Sequence, residues 1–429
     1  MKRYWKFISL VTVIIVVFSV FYIHISQARS NVPEMSIKHI SGDETLIEDL
    51  QIYIWYQDEN NSRDLILSED ELILRQPSSY LSMILQDFYP PAIKQLQSNY
   101  RSFMRDKQDM ATNFFENEDI VAYANMKIDY IFTGIDAYDF TFEIEVLNKD
   151  TEKVNKFTVP VPKKEKYNHL FIEDVQLANE NELKVITQNM LIDSGKGYEL
   201  SFYLNHDEIH VYTFDLMKQT IVNDEIVNTV DVNVEGNLSY ETMIIDHVDD
   251  IGPKDYIIFN ELIREVNLDE DGHYDEQLVD NHLIVYHVET GEQKVLQLPE
   301  KIREQYSPNI YNNNGNFIYF ESFTPDQYEV IIYNVEQEEI EFEQAFEIEK
   351  PDNNPDEYDD MYYGGTKYFV YDELVYMIKT VPLMNKEGFI QVRDIYSGDL
   401  LYEGQLVIDE KFDENDFYLE VHDIDFTRY

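Results

Sequence analysis

After residue 120, apolar and polar positions along this chain are organised almost entirely as strands. Five segments read as variants of one hairpin: 140–159, 209–224, 283–298, 330–345 and 390–406. Each holds a mostly apolar strand, a short polar turn and a second strand. Gly291 and Gly398 stand where such turns need a positive φ. Further strand patterns, "DYIIFNELIREV", "GNFIYFESF" and "KYFVYDELVYMI", precede the last three hairpins. "VIIY" (330–333) is apolar on both faces and suits a strand covered on both sides. "IEFEQAFEIE" (340–349) alternates, as an outer strand with one wet face should, and its glutamates discourage edge-to-edge pairing.

Four strands per unit is the arithmetic of a propeller blade, so the repeats predict an irregular β-propeller of six or seven blades. A multi-sheet β-sandwich arrangement is the alternative. Residues 35–74 also read as strands, and 417–426 supplies a last strand to complete a unit begun near the N-terminus. No WD or kelch signature accompanies the repeats.

Helical spacing occurs in one region. Leu81, Ile84, Leu85 and Phe88 form one apolar stripe, "YPP" interrupts it, and Ile93, Leu96, Tyr100, Phe103, Met110 and Phe114 form a second. A kinked helical pair near 79–115 is predicted, over about 79–88 and 92–115, within an insertion spanning 77–118. Pro91 suits the first turn of the second helix. On that helix Lys94, Arg101 and Arg105 would share one basic stripe, either paired with the protein's own carboxylates or facing a partner or membrane headgroups.

The N-terminus changes the setting. Lys2, Arg3 and Lys6 precede an uncharged apolar run from Phe7 to Ile23. Seventeen helical residues would rise about 26 Å, close to the hydrocarbon thickness of a bilayer. Residues 1–29 therefore read as a cytoplasmic N-terminus and transmembrane anchor, placing 30–429 outside the cell membrane as one propeller-like domain. A cleaved signal peptide, with Ser26 and Ala28 as small residues near the cut, would make the protein secreted instead. Cysteine is absent, which excludes a lipid-modified cysteine anchor. The formal net charge is −51, with 84 acidic residues against 33 basic ones. Such a surface repels nucleic acid and attracts cations.

Candidate chemistry is sparse. Asn267, Asp269, Asp271, Gly272 and Asp275 spell N-x-D-x-D-G-x-x-D, with His273 offering a backbone carbonyl. Calcium needs six to eight oxygens, and alternate carboxyls around a glycine turn supply them. The stretch resembles the calcium loop found between strands in integrin-type propellers, over nine residues and with Asn267 in place of the first aspartate. That resemblance implies a structural calcium ion. "HDEIH" (206–210) has Asp207 where the zinc motif requires glutamate, and it lies among strands, so His206 and Asp207 read as a turn. "SGKG" (194–197) lacks the remainder of a phosphate loop, and no G-x-S-x-G elbow occurs. Carboxylate pairs for glycoside chemistry abound, and nothing in the sequence selects two of them.

These features lean away from catalysis, toward a membrane-anchored sensory or accessory module of a bacterial envelope that engages a protein or cell-wall partner. The alternative is an extracellular propeller enzyme, a hydrolase or lyase acting on carbohydrate. A site with convergent carboxylates or basic groups would favour the enzyme; an exposed apolar or aromatic patch would favour the binding module.

Overall fold

The computed structural model describes residues 11–14, 16–20, 35–58, 62–68, 72–74, 90–108, 110–131, 137–192, 207–228, 238–245, 251–268, 274–305, 310–314, 316–323, 327–347, 366–371, 373–379, 388–408 and 417–426. The chain divides into two compact units. The first joins Met1–Phe88 with Lys350–Tyr429, and the second is Tyr89–Glu349.

The first unit holds two antiparallel sheets. One is five-stranded, with β1 (Met35–Gly42) beside β24 (Leu400–Ile408), then β23 (Gly388–Asp394), β22 (Leu374–Lys379) and β21 (Thr366–Tyr371). The other runs β25 (Phe417–Phe426), β2 (Leu50–Asp58), β3 (Ser62–Leu67) and β4 (Leu72–Leu74). Both ends of the sequence are thus tied to distant strands: Met35 pairs Ile408, and Leu50 pairs Phe426.

The second unit holds four sheets of four strands. In chain order they are β5 (Phe114–Glu116) to β8 (Lys153–Pro160), with β6 (Ile120–Ile131) and β7 (Ala137–Asn148) between; β9 (Tyr167–Asn179), β10 (Glu182–Leu191), β11 (Asp207–Asp215) and β12 (Thr220–Ile226); β13 (Leu238–Ile244), β14 (Tyr256–Leu268), β15 (Tyr274–His287) and β16 (Gln293–Val295); and β17 (Ile310–Asn314), β18 (Phe317–Phe323), β19 (Gln327–Asn334) and β20 (Glu339–Glu347). Each of these four sheets is a meander in which sequence neighbours pair. All five hairpins expected from the sequence are present, as β7–β8, β11–β12, β15–β16, β19–β20 and β23–β24. Gly291 and Gly398 take φ of 74° and 73° in their turns.

Inner strands are apolar on both faces. Val330, Ile331, Ile332 and Tyr333 of β19 are all buried; Ile331 and Tyr333 pack with Ile258, Leu283, Val285, Ile318 and Phe320, so one core joins β14, β15, β18 and β19. The outer strand β20 alternates between exposed and covered positions, as its sequence pattern requires. A second core joins Phe140, Phe142 and Ile144 of β7 to Leu183 and Val185 of β10 and Tyr212 and Phe214 of β11.

The transmembrane expectation is overturned. Among the described residues no helix is long and apolar enough to cross a membrane. Residues 11–14 and 16–20 are helical. A single-pass topology, membrane attachment through an N-terminal helix and a cell-membrane location are corrected with it. The single propeller ring also gives way to what the strand pairing shows, a mainly β protein of six separate small antiparallel sheets divided between two units, none closed into a barrel.

The helical pair is corrected in its second member. The first, 79–88, lies outside the described residues. The second is only α1 (Pro91–Asn99), with Pro91 in its first turn as expected, and it ends where the Tyr100 N–H bonds Leu96 O. Beyond it the chain turns, passes Asp106 at φ 65° and enters β5 at Phe114. Tertiary burial overrides helical propensity here. Ile93, Leu96, Phe103 and Met104 all reach Phe114, Val121, Tyr123 and Leu147 on one sheet face, which a straight helix through residue 115 could not do. Met110, assigned to the apolar stripe, is exposed.

Among the described residues, one buried carboxyl, Glu321, is in no ion pair. Glu321 of β18 is 5% exposed, and burial pushes its pKa up to about 7, the nearby Tyr328 hydroxyl opposing only in part. A carboxyl whose folded pKa is raised contributes stability that is full below its unfolded pKa and is lost as pH rises through the folded value. Glu321→Gln should therefore melt with the wild type near pH 4 and be the more stable protein at pH 8, by about 2–3 kcal/mol. Equal stability of the two across that window, by chemical denaturation, would contradict the assignment.

Candidate functional site

The described residues line an open polar cavity of about 250 Å³ in the second unit. Its floor is the face of β6, β7 and β8, and its rim is the irregular segment 102–107 that follows α1. Cross-strand register builds the floor in rows. Tyr123, Glu145 and Lys156 lie directly opposite one another on β6, β7 and β8; Asn125, Glu143 and Thr158 form the next row. Alternation along β7 sends Phe142, Ile144 and Val146 into the core and leaves Glu143 and Glu145 together on the other face. Ser102, Phe103, Arg105, Asp106 and Lys107 close the cavity from the rim.

Glu145 is gripped from two sides, by Lys107 Nζ at 2.7 Å and Lys156 Nζ at 2.7 Å. Burial acts to raise its pKa, but the two ammonium groups outweigh it and hold the carboxyl below its ordinary range. Lys107 also lies over the rings of Phe103 and Tyr123, at 4.2 and 4.8 Å from their centroids, which fixes an otherwise flexible stem. Glu143 accepts a hydrogen bond from Asn125 Nδ2 at 3.3 Å. Tyr123 accepts the Gln108 N–H at 3.2 Å, and burial together with the nearby Glu143 and Glu145 pushes its phenol pKa up, so it keeps its proton.

A second cluster centres on His210 of β11, which is fully buried. Its Nδ1 lies 2.5 Å from Asp224 of β12 and its Nε2 lies 3.0 Å from Glu208. Tyr167 donates to Glu208 at 3.1 Å and also lies 3.1 Å from Nε2. The imidazole stacks on Tyr212, whose hydroxyl accepts from Asn189, itself bonded by Thr187. Burial alone would lower the imidazole pKa, yet the bonds to Asp224 and Glu208 raise it, and the bond from His210 holds Glu208 low. The group is a buried imidazole clamped between two carboxylates, which favour its protonated form.

The residues singled out from the sequence fare unevenly. Lys94, Arg101 and Arg105 are all exposed, but the helix stops before Arg101, so they share no helical stripe; only Arg105 reaches the cavity. In the acidic loop, Asn267 and Asp275 lie directly opposite each other where β14 meets β15. Asp269, Asp271 and His273 lie outside the described residues. Asp207 opens β11 and is not part of a turn, while His206 and "SGKG" lie outside the described residues. Among the described residues no group of three or more His, Asp or Glu side chains is arranged to hold a metal ion. Glu143 and Glu145 gave no signal in the sequence beyond ordinary alternation within a strand, Lys107 gave none, and His210 stood out only as the last residue of "HDEIH".

The His210 clamp is testable through its sign. A base with a raised folded pKa contributes stability that is full below its unfolded pKa and is lost as pH rises through the folded value. His210→Gln should lose about 3–5 kcal/mol at pH 5.5, the cost of breaking a buried ion pair. The gap should narrow as pH climbs above the ordinary imidazole value of about 6.5. A gap of constant size up to pH 9 in urea titrations would reject the protonated bridge.

No protein-family model matches the chain, and no curated protein matches it. Solved structures give loose likenesses. An uncharacterised protein from Listeria monocytogenes EGD-e aligns at 11% identity, over 68% of this chain and 66% of its own, with a TM-score of 0.31. The β-propeller domain of the Trilobed protease from Pyrococcus furiosus aligns at 10% identity over 86% and 84%, with a TM-score of 0.27. Kuenenia stuttgartiensis hydrazine synthase aligns at 13% identity over 52% and 51%, with a TM-score of 0.25. This chain thus spans just under two thirds of the Listeria protein and about half of the hydrazine synthase chain. At such TM-scores no fold family and no activity carries over.

Proposed function

We propose that this protein is an enzyme acting on carbohydrate, a hydrolase or lyase, with its site in the cavity between residues 102–107 and the β6–β8 face. The reading of a membrane-anchored sensory or accessory module loses its anchor with the correction above. The observation that carries the enzymatic reading is the double grip on Glu145 beside a second carboxylate, Glu143, in a cavity of single-sugar size.

Glycoside chemistry needs two carboxyl groups with different jobs. Glu145, held ionised by Lys107 and Lys156, suits the role that faces developing positive charge. Glu143, bonded to an amide and not to an ammonium, suits the proton-transferring role. Two residues apart on one strand, their backbones are separated by about 6.5–7 Å, a span that leaves room for a sugar's reacting bond. Tyr123 and Asn125 add hydroxyl and amide groups of the kind that pair with sugar hydroxyls, and Arg105 stands at the rim. A lyase would use the same groups differently, with the basic side chains neutralising a uronate carboxyl and a carboxylate or the phenol handling the proton.

Purified protein incubated with a panel of neutral and uronate-containing oligosaccharides should release reducing ends, or unsaturated ends if elimination operates. Glu145→Gln and Glu143→Gln should each lower the rate about 10²–10⁴-fold while leaving the melting temperature within a few degrees. Absence of both turnover and calorimetric binding across the panel would defeat the proposal.

A further inference from the structure

The sign of charge reverses around the cavity. Residues 91–108 and 149–166 together carry ten of the chain's 33 basic residues and only four of its 84 acidic ones. The fold brings these two stretches to one place. Arg105, Asp106 and Lys107 line the cavity from the first, and Lys156 lines it from the second. Lys107 and Lys156 meet on the same carboxyl, Glu145, and Lys149 lies over the ring of Tyr100, 5.5 Å from its centroid. The net charge of −51 belongs to the whole chain, and at about 0.1 M salt exposed charges are screened beyond about 10 Å. A ligand in the cavity therefore meets the local balance and not the global one.

Within the lining three basic side chains stand with three acidic ones, and their duties differ. Lys107 and Lys156 are both taken by Glu145, while Glu143 accepts from Asn125. Arg105 is exposed and, among the described residues, in no ion pair. Its neighbour Asp106, at φ 65°, lines the same cavity without pairing with it. Carboxylates, amides and a phenol are ordinary partners for sugar hydroxyls, and Asp106, Glu143, Asn125 and Tyr123 supply them. A guanidinium is different. It offers donors only, in a planar fork that a carboxylate matches with two parallel hydrogen bonds. A neutral sugar has no group of that shape.

We propose that the cavity takes an acidic sugar, a uronate, and that Arg105 is the residue that reads its carboxylate. This rests on the carbohydrate reading of the cavity and narrows its substrate class. The uronate carboxylate docks at the rim on Arg105, and the ring hydroxyls face Asn125, Tyr123 and the floor carboxylates. The two lysines already committed to Glu145 are left to hold that group in place.

Matched oligosaccharides of glucuronate and of galacturonate, each as the free acid and as its methyl ester, change the carboxylate alone and can be titrated into the intact chain by calorimetry. For at least one sugar the acid should bind at least tenfold tighter than the ester. Arg105→Gln, at an exposed position, should weaken binding of that acid at least tenfold, and Arg105→Lys should recover part of the loss. Arg101→Gln, outside the cavity lining, should leave the affinity where it was. Where the acid is turned over, the loss in Arg105→Gln should fall on KM more than on kcat. Melting curves confirm that each variant is folded. An ester bound as tightly as its acid, or an acid affinity unmoved in Arg105→Gln, overturns the uronate assignment and leaves the carbohydrate reading standing. Binding of no sugar, acidic or neutral, removes both.

Discussion

A strand that is apolar on both faces must be covered on both, and nearly everything else in this protein follows from that. Val330 to Tyr333 of β19 have no wet side, so β19 requires strands beside it and another sheet against it. The same holds for β10 and β11, each with five or more consecutive buried residues. A four-stranded sheet with such a middle is not stable alone in water. Polar side chains that enter these covered faces lose their hydration and must satisfy one another. The His210, Lys184 and Asp174 groups are three solutions to that constraint. Asp174 of β9 meets Lys254 at 3.2 Å and two bonds from Gln176, which also takes the Lys254 N–H. Burial still raises its carboxyl pKa, which shows how dry the site is.

Much of the fold was legible because strand texture is a local property. Turn glycines and period-two alternation placed all five hairpins, and the doubly apolar "VIIY" told an inner strand from the alternating outer one that follows it. The helix over 92–115 failed for a matching reason. Its spacing is truly helical through Leu96, but Phe103 and Met104 have a better partner in the sheet face that begins at Phe114, and no local pattern records that partner. The N-terminal apolar run misled in the same direction: composition alone promised a membrane-crossing helix that the described residues do not contain.

The candidate site was illegible for a physical reason. Glu143 and Glu145 sit in "FEIEVLN", where alternating glutamates are the ordinary sign of a solvated strand face. Only the return of residues 102–107, some forty positions upstream, converts that face into a floor. Lys107 ended up beside Glu145 because the chain turned early, so the misjudged helix and the missed site have one cause. The basic stripe of Lys94, Arg101 and Arg105 was drawn on the same nonexistent helix, and only its last member reached the cavity.

Charge stoichiometry gives that site its weight. With 84 acids against 33 bases, an acidic side chain here cannot on average have even one cation to itself. Elsewhere the base is the shared partner in two places: Lys301 serves both Glu329 and Glu343, and Arg264 serves both Glu241 and Glu276. Glu145 instead takes two lysines, one of them almost wholly buried. The Lys156 pair is partly exposed and contributes little stability, and the nearly buried Lys107 pair spends much of its attraction on desolvation. What they do achieve is a carboxylate fixed in place and kept ionised beside a second one. Lys184 departs from the pattern in the other direction. A direct ion pair with Glu225 would have suited stability, yet Tyr286 stands between them, accepting from Lys184 and donating to Glu225.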